Sequence, residues 1–150
     1  MRYRVLIAED NSADVGLVRE ALKAHNVDCE LQVASDGAAA ISLIQRLDAD
    51  SRAPLLHLLI MDMNLPKRDG EEILKCLRST ERYGQLPVVV MTSSESPSIE
   101  ATATRHAALS YFRKPSKLDA FLEIGLIAKR ILAKTHGGVV FPQVPTVGDE

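Results

Sequence analysis

The stretch LLHLLIMDMNLPKRDG, residues 55–70, decides how the rest of this chain is read. From Leu55 to Met61 it is apolar at every position but His57, as expected of a central parallel strand buried on both faces. A carboxylate, Asp62, follows at once. Asn64 to Gly70 then reads as a loop opening onto a helix that carries Ile73, Leu74 and Leu77 on one side.

The same unit recurs on both sides. Upstream, Tyr3–Ala8 is a strand, and the helix after it can be capped by Asn11 or Ser12 and carries Val15, Val18 and Leu22. Glu30–Ala34 is a shorter strand whose alternation, with Cys29, Leu31 and Val33 to one side, suits a sheet edge. A second helix covers about residues 38–47, and the polar residues 48–54, ending in Pro54, form a connecting loop. Downstream, Pro87–Met91 is the fourth strand, and a proline is tolerated at its start. A helix over about residues 96–107, with Ile99 its only large apolar residue, leads to a fifth strand, Leu109–Phe112. A last helix covers about residues 117–133, and Gly137-Gly138 ends the regular structure. The expected organisation is one domain, 1–134, and an extended C-terminal arm, 135–150.

Composition agrees with this alternation and excludes several classes. Of 150 residues 46% are hydrophobic and 25% charged, the balance of a globular chain; aromatics at 4% without any Trp demand an aliphatic core. Lys plus Arg at 18 against Asp plus Glu at 20 gives a net charge of -2, which supports neither a nucleic-acid nor a membrane footprint. No apolar run approaches a bilayer span and no cleavage-site pattern follows Met1, so the expected location is the cytoplasm. Cys29 and Cys76 have no metal or disulfide spacing and read as small buried hydrophobes; His25, His57, His106 and His136 share no ligand spacing either.

Parallel strands joined by single helices form an open sheet with helices on both faces, and such sheets bind ligands beyond the carboxyl ends of the strands. Glu9-Asp10 follow the first strand, Asp62 the third, Thr92 the fourth and Lys114 the fifth, so all five fall on one rim. Crowded carboxylates repel until one takes a proton or a divalent cation neutralises them. An all-oxygen set without His or Cys calls for a hard ion, most naturally Mg2+. A metal, a lysine and a hydroxyl around one carboxylate are what is needed to hold a phosphoryl group while an Asp attacks phosphorus. The residues therefore point to an aspartyl-phosphate site centred on Asp62.

At these residues the chain resembles the receiver domain of two-component response regulators. The resemblance covers about residues 3–133 and rests on VLIAEDN, LLIMDMNLPKRDG, VVVMTSS and SYFRKPS, in that order, each at a strand end. It implies a flavodoxin-like doubly wound five-stranded parallel sheet of order 2-1-3-4-5. Asp62 would be the phosphoacceptor, with Mg2+ held by the side chains of Asp10 and Asp62 and the carbonyl of Asn64, and with Glu9 acting largely through water. Thr92 and Tyr111 would form a switch pair, Lys114 would neutralise the phosphate, and Lys114–Pro115 would be a cis peptide. The implied partner is a sensor histidine kinase. The longer connection at 48–55, the opening EDNSADVGLVREAL and SYFRKPS are similar to the small single-domain regulators paired with bacterial and cyanobacterial phytochrome kinases.

Plainer readings exist for each residue alone. Asp10 suits a helix dipole, Thr92 a helix cap, Lys114 a surface, Tyr111 a core; Met61, Met63 and Met91 suit packing beside the site. Asp62, after a nearly unbroken apolar strand, needs a partner or a job. In the last helix Leu118, Phe121, Leu122, Gly125, Ala128 and Leu132 form an expected core face, and Ile124, Ile127 and Ile131 a second stripe. A surplus apolar face on a soluble chain is usually a protein contact, which predicts a homodimer through the fourth helix, fifth strand and last helix; the alternative is cover by the arm. Two other functions weigh less. A phosphohydrolase of the haloacid dehalogenase type wants a second Asp where this chain has Asn64, and a degenerate adaptor would not keep every site residue. The expected function is a stand-alone, phosphorylation-controlled binding module with no DNA-binding part, a signalling protein rather than an enzyme.

Overall fold

Burial on both faces is what makes the middle of the sheet. In the computed structural model, which describes residues 2–93 and 96–136, β3 (Leu58–Met61) and β4 (Val88–Thr92) have no exposed side chain. β1 (Tyr3–Ala8) lies on the other side of β3, β2 (Cys29–Ala34) forms one edge and β5 (Ser110–Arg113) the other. All pairs are parallel and the order is β2-β1-β3-β4-β5, as expected.

Side chains alternate between two cores, as the strand period requires. Leu6, Leu59, Met61, Val88 and Val90 pack under α2 (Gly37–Ala49) and α3 (Gly70–Ser79) with Ile44, Ile73, Leu74, Leu77 and Tyr83. Val5, Ile7, Leu58, Ile60, Val89 and Met91 pack under α1 (Ser12–Ala24), α5 (Leu118–Phe121) and α6 (Glu123–His136). Each fully buried aliphatic side chain contributes roughly 1.5–3 kcal/mol. α4 (Pro97–Arg105) buries only Ala103, in line with its sparse apolar content.

Several boundaries differ from expectation for identifiable reasons. The regular part of β3 starts at Leu58, not Leu55, because the His57 ring accepts the Arg4 N–H at 2.9 Å, where a neighbouring strand's carbonyl would otherwise bond. Leu55 is accordingly exposed. The long connection before β3 is tied down by Arg82, whose guanidinium donates to the carbonyls of Leu47, Asp50 and Ala53 at 2.6–2.8 Å. Asn11, rather than Ser12, caps α1, accepting from Ala13 N–H and Asp14 N–H. The described residues contain no cis peptide, so Lys114–Pro115 is trans; the strand ladder holds the lysine instead, through Lys114 N–H to Thr92 carbonyl at 2.8 Å. Apart from Thr135 and His136, which end α6, the expected arm lies outside the described residues.

The last helix needs the largest correction. It is interrupted at Leu122, and its buried arc is turned away from Leu118 and Leu122 and onto Phe121, Ile124, Gly125, Ala128 and Leu132. Ile124 is fully buried, while Ile127 and Ile131 are half-buried against the same core, so the second stripe is largely absorbed. The cause is Gly125, which lies so close to α1 that a Cβ there would stand 2.0 Å from the Ala21 carbonyl oxygen.

Two glycine substitutions in facing helices should therefore have opposite signs. Gly125→Ala forces α6 off α1 and is expected to lower stability by about 1–3 kcal/mol despite the better helix propensity of alanine. Gly16→Ala, in α1 with nothing within 4 Å of its added Cβ, should raise stability by up to about 1 kcal/mol. Urea unfolding of the two variants checks both, and a stabilised Gly125→Ala protein would refute the close crossing.

Candidate functional site

Each rim residue stands just where its strand ends, and the neighbouring strand still holds it. Glu9 N–H donates to Ala34 carbonyl at 3.0 Å, Asp62 N–H to Ala8 carbonyl at 2.9 Å, and Lys114 N–H to Thr92 carbonyl at 2.8 Å. The backbone of all three is thus part of the ladder, and their side chains are set by a rigid scaffold.

One carboxylate oxygen from each of Glu9, Asp10 and Asp62 lies within 4.8 Å of the others; Glu9 and Asp62 are buried and Asp10 is exposed. Asp62 Oδ1 accepts the Asn64 N–H at 2.9 Å, and Asp62 Oδ2 accepts from Lys114 Nζ at 3.0 Å. Lys114 Nζ also donates to Asp14 Oδ2 at 2.7 Å and lies 2.8 Å from Glu9 Oε1. That last contact is a charge contact only, since no hydrogen-bond donor is aligned with the buried Glu9 Oε1. Glu9 Oε2 accepts the Asn11 N–H at 3.1 Å.

The two ends of the Lys114–Glu9 pair shift in the same direction for different reasons. Burial pushes the Lys114 pKa down, but the Asp14, Glu9 and Asp62 carboxylates outweigh it and hold the ammonium charged well above its ordinary range. Burial likewise raises the Glu9 pKa, and here the nearby ammonium and the Asn11 N–H only partly offset it. A buried carboxylate oxygen with no aligned donor, beside two more carboxylates, is the environment a cation relieves. Oxygen-only donors suit a hard divalent ion such as Mg2+, so Glu9, Asp10 and Asp62 fit one.

The loop that follows Asp62 is held against α2. Gly37 N–H donates to Pro66 carbonyl at 3.1 Å, and a Cβ on Gly37 would stand 1.8 Å from the Arg68 carbonyl oxygen. Asp69 and Glu72 form a capping box that starts α3 directly behind this loop. Thr92 is fully buried at the end of β4. Tyr111 pairs in register with Val90 and packs half-buried into the core on the α2 and α3 side, the side that Val90 and Thr92 share by alternation. Burial raises its phenol pKa, with Glu100 adding to the shift. The structure thus gathers Glu9, Asp10, Asp62 and Lys114 at one point and sets Thr92 and Tyr111 along one sheet face. Asp14 was no part of the predicted set; its only sequence signal is an acid in the first turn after Asn11, which a helix dipole explains as well.

The profile of the family described as the response regulator receiver domain matches residues 5–124. Response regulator Rcp1 of Synechocystis sp. is 38% identical over 92 residues, 61% of this chain; the match spans 63% of that protein's length, just under two thirds. Among solved structures, the phosphorylated cyanobacterial phytochrome response regulator RcpA superposes with a TM-score of 0.77 at 26% identity, over 95% of this chain and 100% of its own. The Mn2+-bound form of Rcp1 gives 0.75 at 29% identity, over 94% and 99%.

A cation that binds the folded chain alone must stabilise it. Mg2+ at a hundred times its dissociation constant should add about 2.7 kcal/mol to the unfolding free energy of chelator-treated protein. Asp10→Asn should weaken that affinity roughly tenfold or more. Thermal melts at stepped Mg2+ concentrations measure both, and an Asp10→Asn response equal to wild type would exclude this carboxylate as a ligand.

Proposed function

This chain belongs to the response regulator receiver family, and on that premise we propose that it is a stand-alone regulator that accepts a phosphoryl group on Asp62 from a sensor histidine kinase. The observation that carries the reading is the setting of Asp62. It ends a wholly buried strand, with one oxygen on the Asn64 N–H and the other on the Lys114 ammonium, beside a carboxylate cluster suited to a cation. An oxygen of Asp62 bonds to phosphorus as the bond from phosphorus to the kinase's histidine nitrogen breaks, and the electron pair leaves with that nitrogen. Bound Mg2+ supplies neutralisation of the charge on the phosphoryl oxygens. Asp10, Asp62 and the Asn64 carbonyl would hold it, with Glu9 acting through water. Lys114 then turns from Asp62 Oδ2 to a phosphoryl oxygen.

The readout we assign to Thr92 and Tyr111. A phosphoryl group adds charge and acceptor oxygens that draw the Thr92 hydroxyl inward, and the Tyr111 ring follows into the space released. α4 is the element able to respond. Its first turn has no side-chain cap bond, whereas its end is held by Arg78, which donates to the His106 carbonyl at 2.9 Å, and by Glu71, 3.1 Å from Arg105. This helix can swing about its C-terminal end at small cost.

The proposed kinase is of the phytochrome type, a reading supported by the likeness to the cyanobacterial phytochrome response regulator RcpA. The likeness to RcpA over the full length of that phytochrome response regulator supports the stand-alone reading, and we place the protein in the cytoplasm with no nucleic-acid or membrane partner. Among the described residues no helix is long and apolar enough to cross a membrane. We further assign homodimerisation to the face of α4, β5 and α6. With Ile124 in the core, this contact rests on the half-buried Ile127 and Ile131, and sedimentation of a folded Ile127→Glu variant against wild type reads it directly.

Asp62→Asn should abolish labelling by acetyl phosphate, and chelator should abolish it in wild type. A labelled variant would move the acceptor elsewhere. Thr92→Ala should still take label, yet amide exchange over residues 93–112 should respond to phosphorylation less than in wild type; an equal response would remove Thr92 from the switch.

A further inference from the structure

Asp14 makes the shortest contact at the site and has no part in the mechanism so far. It lies in the first turn of α1, where the Asn11 cap takes its N–H at 3.2 Å and the positive helix end favours its charge. Its carboxylate is already stabilised by local structure and is not one of the clustered Glu9, Asp10 and Asp62 carboxylates that fit a cation. Lys114 Nζ stands 2.7 Å from Asp14 and 3.0 Å from Asp62, the tighter bond being to Asp14. Only 18% of the Asp14 side chain and 11% of the Lys114 side chain are exposed, so this pair is shielded well beyond an ordinary surface ion pair.

We propose that Asp14 is a positioning residue for Lys114: it draws the ammonium toward α1 and so limits how closely the ammonium pairs with the Asp62 oxygen that must attack phosphorus. This inference rests on the reading of Asp62 as phosphoacceptor. An ammonium has three N–H donors, and Lys114 directs one at Asp14 and one at Asp62. Without the Asp14 charge the ammonium settles on Asp62 and Glu9, the only other carboxylates in contact with it among the described residues. A carboxylate oxygen that shares its lone pair with a closely held ammonium is a poorer nucleophile. Once phosphorus is bonded to Asp62, the donor that served Asp62 passes to a phosphoryl oxygen while Asp14 keeps its own. Asp14 thus holds Lys114 at one address in both states, and the lysine needs only to redirect a single N–H.

The test compares wild type, Asp14→Asn and Asp14→Glu as full chains. In metal-free protein, the 1H–15N signal of the Lys114 ammonium should be observable in wild type, displaced or lost in Asp14→Asn, and returned toward wild type in Asp14→Glu. With Mg2+, the single-turnover rate of phosphorylation by acetyl phosphate should fall roughly tenfold in Asp14→Asn and recover in part in Asp14→Glu. Asp14→Ser replaces the Asn variant if that one does not fold. An unmoved ammonium signal, a rate within about twofold of wild type, or a Glu variant no better than Asn overturns the proposal. Wild type that takes no label at all overturns the phosphoacceptor reading instead, and the ammonium signal alone then decides whether Asp14 anchors Lys114.

Discussion

The Lys114 ammonium meets carboxylates from three separate segments within 3.0 Å: Glu9 after β1, Asp14 on α1 and Asp62 after β3. Coulomb attraction there is not the screened affair of a surface pair, because the lysine and Glu9 side chains are only 11% and 1% exposed. The contact joins the last strand to the first strand, the first helix and the central strand, residues 52 to 105 positions apart in the chain. Removing the lysine would leave buried like charges facing one another, which costs far more than the pair itself is worth. The rim of the sheet is consequently built around this cation, and any ligand that enters must renegotiate it.

What makes so much charge tolerable at the rim is the stiffness behind it. The strands that carry Glu9, Asp62 and Thr92 end in side chains with no exposure, from Val5 to Ala8, Leu58 to Met61 and Val88 to Met91. Such close-packed strands shift little, so the carboxylates cannot relax apart. The two sides of the sheet are built differently around them. α1 and α6 cross at Gly125 with backbone against backbone, a contact that holds the α1 turn bearing Asp14 in place. α4, with Ala103 alone buried and its C-terminal end tied by Arg78, is the loosely packed element on the other side. On the proposed function, a fixed α1 and a pliant α4 would let the charge at Asp62 change without disturbing the lysine's anchor while α4 answers to it.

The strand-terminal residues were legible because an apolar run followed by Glu9, Asp62 or Lys114 marks its own end, and a parallel sheet places all such ends on one rim. The order of the strands came from the family resemblance, and the register bears it out. Other features depend on pairs far apart in sequence. The arc of α6 is set by Gly125 against Ala21, a contact that a helical wheel of α6 alone cannot contain, so the wheel centred the core on Leu118 and left Ile124 outside it. The start of β3 hinges on a side chain, the His57 ring, standing in for a carbonyl. Asp14 was hidden by its own plausibility: an acid in the first turn of a helix needs no further reason, and only the position of Lys114, 100 residues away, supplies one.

The balance of charges explains why cation and phosphoryl chemistry belong together here. Two carboxylates about 4.8 Å apart repel by roughly 3–4 kcal/mol at an effective dielectric of about 20, and three of them meet at this spacing or less. A single ammonium, shared with Asp14, cannot offset three such terms, and burial, which raises the pKa of Glu9, adds to the cost of its charge. A divalent cation removes it. On the proposed function, phosphorylation would replace the single negative charge of Asp62 with about 1.5 to 2, so the same cluster would need positive charge more after the transfer than before. On that proposal the cation would be favoured by the empty site and favoured further by the phosphorylated one, and by linkage its binding would pull the transfer forward. Lys114 cannot play that part alone, because its charge is already shared among Glu9, Asp14 and Asp62; on the proposed mechanism what it would contribute is direction, one N–H passing from the Asp62 oxygen to a phosphoryl oxygen.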